Sequence, residues 1–430
     1  MAGRRYAEPC FVHGGSDFRY PMEKPRHSRG RGQIQQSSHA SGGFVLVLSA
    51  PMRRSSTMWS SQRYIELGKI LGRTDELLDR AVEQIEAVIE PPPNPPALLT
   101  LGHLAMRADV PYASLRRFIA HDPEAYRRFA VKKRSGGFRV IHVPESHLLK
   151  VQRWICNYIL RDVPVHQRSH AFAPNSSIVK CATRHCRAQW LVKLDIRGFF
   201  DSISELQIYR VFRSLNYQRL IAFELARICT FAPASSPRYK LGNWRNWNQY
   251  KLDIYSHRGQ GYLPQGAPTS PMLSNLVMRD LDRILTAIGE RHGLYYTRYS
   301  DDLTFSTRST AFSRNKAKDL IAEVRERILA SGLRLNGGKT TVVPPGARKV
   351  VLGLLVDGTE PALPREFRSL LRQHIYYLER FGPIRHAEAR NFDTVTGMRR
   401  HIRGLIDFAN MVDTPFASKL LARFESIAWP

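Results

Sequence analysis

Two short stretches place carboxylates where a β-rich core would otherwise be unbroken. In "WLVKLDIRGFFDSIS" (190–204), Leu191, Val192, Leu194 and Ile196 surround Asp195. In "RYSDDLTFS" (298–306), Asp301 and Asp302 stand side by side within an apolar, β-prone run. Side chains alternate along a strand, so Lys193, Asp195 and Arg197 share one face while Leu194 and Ile196 share the other. Lys193 and Arg197 partly neutralise Asp195, but Asp301 and Asp302 have only Arg298 close by in sequence. Buried carboxylates without partners are costly. Divalent cations resolve the conflict: carboxylates from separate strands make an oxygen-rich site for two Mg²⁺. Such metals, about 4 Å apart, clamp the attacking and leaving oxygens of an in-line phosphoryl displacement.

Charge points to the same kind of substrate. The 430 residues carry 65 Lys and Arg against 37 Asp and Glu, a formal net charge of +28. A surplus of that size attracts phosphate backbones and gives salt-sensitive, partly sequence-blind binding. No apolar run approaches the length of a spanning helix, so nucleic acid is expected rather than a membrane. Five cysteines, an odd number, argue against a disulfide framework and fit a reducing cytoplasm. "CATRHC" gathers Cys181, His185 and Cys186, but no second pair follows at zinc-finger spacing, so a structural role is expected.

Residues 1–61, rich in Arg, Gly, Ser and His, read as a disordered basic arm, and Met52 or Met58 serves equally well as the true start. A helical region follows over 62–130, containing "TDELLDRAVEQIEAVIE" and a proline-rich stiff linker at 91–96. "LLTLGHLAMRADVPYASLRRFI" reads as two short helices whose helix-turn-helix pattern is more often a packing unit than a groove reader. "FAVKKRSGGFRVIHVP" predicts a basic hairpin with a Ser-Gly-Gly turn, and "SHLLKVQRWICNYIL" a helix packed beneath it. At 234–260, Trp244, Trp247 and Tyr250 interleave with cations in an insertion-like stretch, suited either to stacking unpaired nucleotides or to packing on its own domain.

Asp195 followed by "YSDD" (Tyr299 to Asp302) resembles the reverse transcriptases, whose palm sets one Asp on a strand beside a Tyr-x-Asp-Asp hairpin. The resemblance covers about residues 97–430. It implies an α+β right-hand polymerase: fingers and palm with an antiparallel sheet over 131–360, and a helical, RNA-binding thumb over 361–430. By this resemblance Asp195, Asp301 and Asp302 are catalytic metal ligands. Gln265 and Gly266 in "GYLPQGAPTSPMLSNLV" match the turn beneath the templating base and incoming nucleotide, Lys339 in "LNGGKTTVV" matches a lysine near the triphosphate, and "KVVLGLLV" matches a primer-grip hairpin. Arg139 matches a fingers residue that clamps triphosphate oxygens, a task suited to a guanidinium fork. Phe200 matches the aromatic that blocks the sugar 2′-OH, while its neighbour Phe199 is the alternative if Phe200 is core.

Within that family the chain looks most like a bacterial retron enzyme, through Val395, Thr396 and Gly397 ("VTG") and through "CATRH", where Cys181 stands in place of the usual Asn. Gly397 has a second explanation, because glycine also eases a helix start. A retron resemblance implies a cognate structured non-coding RNA as template and primer, deoxynucleoside triphosphates as substrates, and branched DNA joined to the 2′-OH of an internal guanosine. It also implies a role in anti-phage defence with a possible effector protein. Arg399, Arg400 and Arg403, with the VTG residues, are the expected RNA contacts. The alternatives are a group II intron-like or unlinked defence reverse transcriptase and, from another class, a non-catalytic RNA-binding scaffold.

Overall fold

The computed structural model describes residues 59–132, 136–232 and 261–430. The basic arm and the 234–260 insertion therefore lie outside the described residues, except for the arm's last three positions. Two compact units divide between Glu83 and Gln84. In the first, Ser60 caps α1 (Ser61–Ile70) by accepting from the Arg63 backbone N–H, and Gly68 of α1 meets the Leu78 side chain. Helix α2 (Asp75–Ile89) carries Asp75 and Glu76 in its first turn, where the helix dipole favours acids.

In the larger unit, the proline run is packed rather than a free spacer. Asn94 folds back to donate to the carbonyls of Ile89 and Glu90, Pro95 is buried, and the Tyr217 hydroxyl donates to the Pro96 carbonyl at 2.7 Å. Composition alone predicts stiffness but not the neighbour against which a stiff segment lies. Helices α3 (Leu101–Ala108) and α4 (Tyr112–Ile119) bury Leu104, Leu115, Phe118 and Ile119, as a packing pair does. The basic hairpin follows as β1 (Tyr126–Lys132) and β2 (Phe138–Pro144), antiparallel in register Val131↔Arg139. Beneath it, α5 (Ser146–Trp154) runs into a π-helical turn, and buried Gln152 donates to both the Tyr126 hydroxyl and the Ile228 carbonyl.

The palm is a four-stranded antiparallel sheet of order β4-β5-β3-β6, made of β3 (Trp190–Asp195), β4 (Tyr295–Tyr299), β5 (Asp302–Thr307) and β6 (Thr341–Val343). Before it come α6 (Ile178–Thr183) and, between β3 and β4, the helices α7 (Phe199–Ser202), α8 (Glu205–Ser214), α9 (Arg219–Ile228) and α10 (Ser270–Arg291). Strict alternation sorts the sheet's side chains. Val192, Leu194, Tyr296, Leu303 and Phe305 share the face on which α10 packs, and Lys193, Asp195, Asp302, Thr304 and Ser306 share the other. The outer edge of β4 is covered by Ser169, bridged in parallel to Arg298. Phe231 and Tyr262 exchange backbone hydrogen bonds of 2.9 and 3.0 Å.

After α11 (Arg314–Ala330), a small hairpin of β7 (Val350–Val351) and β8 (Leu354–Leu355) turns through Leu352 and Gly353, both at positive φ. Three helices end the chain: α12 (Arg365–Ala389), kinked at Gly382–Pro383, α13 (Val395–Asn410) and α14 (Thr414–Glu425). This is the α+β architecture expected, a palm sheet followed by a helical C-terminal layer. Among the described residues no helix is long and apolar enough to cross a membrane.

Candidate active site

The register of the sheet brings the carboxylates together. Asp195 ends β3 directly opposite Asp302, the first residue of β5, and the Ile196 amide donates to the Asp301 carbonyl at 3.0 Å. Ser300, at φ 58°, makes the sharp reversal between β4 and β5 and leaves Asp301 at the tip. Burial, then the neighbouring Asp195 carboxylate, pushes Asp301 above the ordinary carboxylate range. Burial and then Asp301 push Asp302 up to about 6. Both shifts have one physical meaning: the pocket is short of positive charge.

Asp195 has found a partial remedy. Lys339 donates to Oδ2 at 2.8 Å and Asn336 to Oδ1 at 3.0 Å. Burial works against the Lys339 ammonium, but the bond to Asp195 and the nearby Asp301 and Asp302 hold its pKa above the usual value. Asn336 was missed in the sequence, although it stands three residues before Lys339 in the same glycine-rich turn. Among the described residues no three His, Cys, Asp or Glu side chains are gathered in ready-made coordination. The donor set nonetheless fits a hard divalent cation, because every candidate ligand is a carboxylate oxygen and two of the three carboxylates are destabilised as anions.

Arg298, the one cation close to Asp301 and Asp302 in sequence, does not pair with them. Its guanidinium is fully buried on the α10 side, donating to Asp282 at 2.8 and 2.7 Å, to Asn275 at 3.0 Å and to Ser169 at 3.2 Å. A fifth bond, 3.2 Å to the Ser300 carbonyl, props the β4–β5 turn from below. Alternation explains this, since Arg298 and Asp302 belong to opposite faces. Asp282 was also missed; its signal was an acid on the buried stripe of α10 beside Met278, Leu281 and Leu285.

Of the other expected residues, Arg139 acts on the carboxylates through its charge, and the rest are defined by their own contacts. Arg139 is exposed on β2, and its charge acts on Asp301. Gln265 accepts at its carbonyl from the His142 amide at 2.8 Å, tying the fingers hairpin to the turn before α10. Gly266 adopts φ 115°, and a Cβ there would stand 2.6 Å from the His142 carbonyl oxygen, so the turn requires glycine twice over. Phe199 is buried, whereas Phe200 is half-buried and packs against Phe172 at 6.3 Å between ring centroids. Both stand on the short helix α7 rather than on a strand, and only Phe199 is core.

The thumb residues are not gathered at this cluster. Thr394 caps α13, and Gly397 donates its N–H to the Thr394 hydroxyl at 3.0 Å, so the helix-start explanation of Gly397 has a concrete bond behind it. Thr396, Arg399, Arg400 and Arg403 are exposed and Val395 is half-buried. Arg403 pairs with Asp407 and Glu425, and Arg399 lies over the Trp429 ring. Arg400 has no ion-pair partner among the described residues. The "CATRHC" side chains take structural roles: His185 is buried between two hydroxyls, and Cys181 donates to Thr297.

The reverse transcriptase (RNA-dependent DNA polymerase) family pattern matches residues 131–356, a span that holds Arg139, the three carboxylates and Lys339. The Retron Mx65 reverse transcriptase of Myxococcus xanthus is 32% identical over 76% of this chain and 72% of its own length. Retron Mx162 reverse transcriptase of the same organism is 29% identical over 70% of this chain and 61% of its own. Retron Ec86 reverse transcriptase of Escherichia coli is 27% identical over 76% of this chain and 88% of its own. A pattern spanning more than half of the chain, with a retron relative above 30% identity across most of both sequences, makes this chain a member of the reverse transcriptases, RNA-directed DNA polymerases, in their retron branch.

Proposed function

We propose that Asp195, Asp301 and Asp302 hold two Mg²⁺ ions and that this chain copies a cognate structured RNA into DNA linked to that RNA. The observation that carries the reading is the convergence of three carboxylates, two of them raised in pKa, at the end of β3 and the β4–β5 turn. When bound, the metal pair supplies Lewis acidity to the attacking hydroxyl and the leaving pyrophosphate. Lys339 is the mobile counter-charge: it rests on Asp195 and swings to triphosphate oxygens when the carboxylates are neutralised. Arg139 closes on the same triphosphate from the fingers hairpin with its fork of donors. Gln265 and Gly266 form the floor under the templating base, where a glycine without Cβ lets backbone approach. Extension of a DNA primer on RNA with deoxynucleoside triphosphates, stopped by EDTA and restored by Mg²⁺, is the expected result; extension that persists under chelation overturns the metal assignment.

Phe200 is proposed to select deoxynucleotides by presenting its half-exposed ring to the sugar 2′ position. Phe200→Ala is expected to raise ribonucleotide incorporation relative to deoxynucleotide by about tenfold or more, a difference of roughly 1.4 kcal/mol between the two barriers. Discrimination unchanged in single-nucleotide kinetics would leave Phe200 as packing.

For the thumb, Val395, Thr396, Gly397, Arg399, Arg400 and Arg403 are proposed to bind the cognate RNA. Exposed Arg400 is the strongest of these, because its charge is engaged neither by an acid, as Arg403 is, nor by a ring, as Arg399 is. Arg400→Glu should cut synthesis on the cognate RNA about tenfold while sparing a generic annealed primer, since phosphate contacts position the template without entering the chemistry. Equal loss on both substrates would indicate a general duplex grip. The product on cognate RNA is expected to carry a 2′-linked junction, and an unbranched product would favour an intron-like lineage. A role in phage defence, with an effector protein and in the cytoplasm, follows from the same retron reading. Restored plaque formation in cells carrying an Asp301→Asn locus is its test.

A further inference from the structure

We infer that His185 is a positioning residue for the catalytic hairpin, clamping β4 to β5 through one hydroxyl on each. This rests on Asp301 and Asp302 being the catalytic acids. His185 follows α6 and is fully buried. Its Nδ1 lies 2.7 Å from Ser306 Oγ on β5, and its Nε2 lies 2.6 Å from Thr297 Oγ1 on β4. On one face of the hairpin those hydroxyls lie on neighbouring rungs: Tyr295 pairs with Ser306, Thr297 with Thr304 and Tyr299 with Asp302, while the intervening Tyr296–Phe305 and Arg298–Leu303 rungs face the other way. On that face the clamp is therefore the next contact below Asp302, with the Arg298–Leu303 rung between them, and lies below the turn that carries Asp301. It also lies on the polar face of the sheet, the face of Asp302.

The chemistry of the ring suits this role. Burial depresses the imidazole to about 3, so at neutral pH one ring nitrogen donates and the other accepts. Each hydroxyl supplies the complementary role, and neither is left unpaired in a site where an orphaned polar group is costly. Cys181 adds a third tie, its thiol donating to Thr297 Oγ1 at 3.4 Å from the same helical segment. A single bond to one strand would only locate α6. Two bonds to two strands resist shear between them, and a slip of one residue would carry Asp302 to the opposite face of the sheet. The motif "CATRH" thus acquires a physical meaning: it fixes the register of the strands that carry the acids.

His185→Phe keeps the ring volume and deletes both bonds, whereas Thr297→Val deletes one partner. The test is a pre-steady-state burst on an RNA template with a DNA primer. Amplitude reports the folded, competent fraction, and burst rate reports chemistry in that fraction. A positioning role predicts a burst rate lowered about 10- to 100-fold, because misplacement of reacting groups by about 1 Å has that effect. Affinity for template–primer should be unchanged. His185→Asn and His185→Gln, each placing an amide near one of the two ring nitrogens, should recover part of the rate. His185→Phe combined with Thr297→Val should lose little more than His185→Phe alone, since the His185–Thr297 link is removed once and only the weak Cys181 tie is lost in addition. A burst rate within twofold of wild type in Thr297→Val and His185→Phe, with only the amplitude reduced, overturns the proposal, as do losses that multiply. If His185→Phe does not fold, Thr297→Val with the Gln and Asn variants decides. Wild-type burst rates in Asp301→Asn and Asp302→Asn would instead refute the catalytic assignment on which the inference rests.

Discussion

Asp301→Asn should abolish RNA-templated DNA synthesis while leaving the melting temperature unchanged or higher. Loss of a metal-ligand charge removes several kcal/mol of transition-state stabilisation, and about 4 kcal/mol corresponds to about a thousandfold in rate. The stability half of the expectation comes from the sign of the pKa shift. Asp301 is raised by burial and by Asp195, so in the folded protein its anion is less favourable than in the unfolded chain. An amide of the same size removes that disfavoured charge and keeps the volume. Thermal melting and template–primer binding at wild-type levels, with extension reduced about a thousandfold or more, would separate chemistry from folding. Activity within a few-fold of wild type would sink the catalytic assignment. A lowered melting temperature would mean instead that Asp301 makes a stabilising contact.

The carboxylates were legible because each breaks a local rule that nothing nearby repairs. An acid in the middle of "LVKLDI", and two together in "YSDDLTF", contradict the apolar runs around them, and such contradictions gather at functional sites. Gly266 was legible from its block, and the structure adds the reason in the His142 carbonyl that a Cβ would strike. Helices were legible from apolar periodicity, as in α2 and α13. The partners were not. Whether Lys339 reaches Asp195, or Arg298 turns to Asp282, depends on which faces the sheet presents to α10 and to the 336–339 turn, and that is fixed by packing between segments far apart in sequence. The proline run had the same limit, since stiffness is local whereas the Tyr217 hydroxyl that holds Pro96 is remote. His185 lay between these cases: the motif was visible, but its role needed the β4–β5 register.

The pair of Arg298 and Asp282 carries the second large expectation. Both side chains are fully buried and bonded twice, at 2.8 and 2.7 Å, and Tyr296 donates a further bond to Asp282 at 2.9 Å. The coulombic attraction offsets the desolvation of two ions only while both are present. Removing one leaves an uncompensated charge at a cost of about 3–5 kcal/mol. Asp282→Asn, which alters almost no volume, should therefore lower the melting temperature by about 6–20 °C. Replacing both partners with apolar residues, Asp282→Leu with Arg298→Met, should recover much of that loss, because desolvation is then no longer incurred. Catalysis should not recover with it. Arg298 also donates to the Ser300 carbonyl, and Ser300 holds the left-handed conformation that turns Asp301 into the site. A methionine leaves that carbonyl without its donor and the turn without its prop. The double variant should thus melt near the wild-type temperature yet extend primers slowly, with the deficit in rate rather than in template affinity. Full activity in the refolded double variant would confine the pair to stability, and a melting temperature of Asp282→Asn within about 2 °C of wild type would remove even that role.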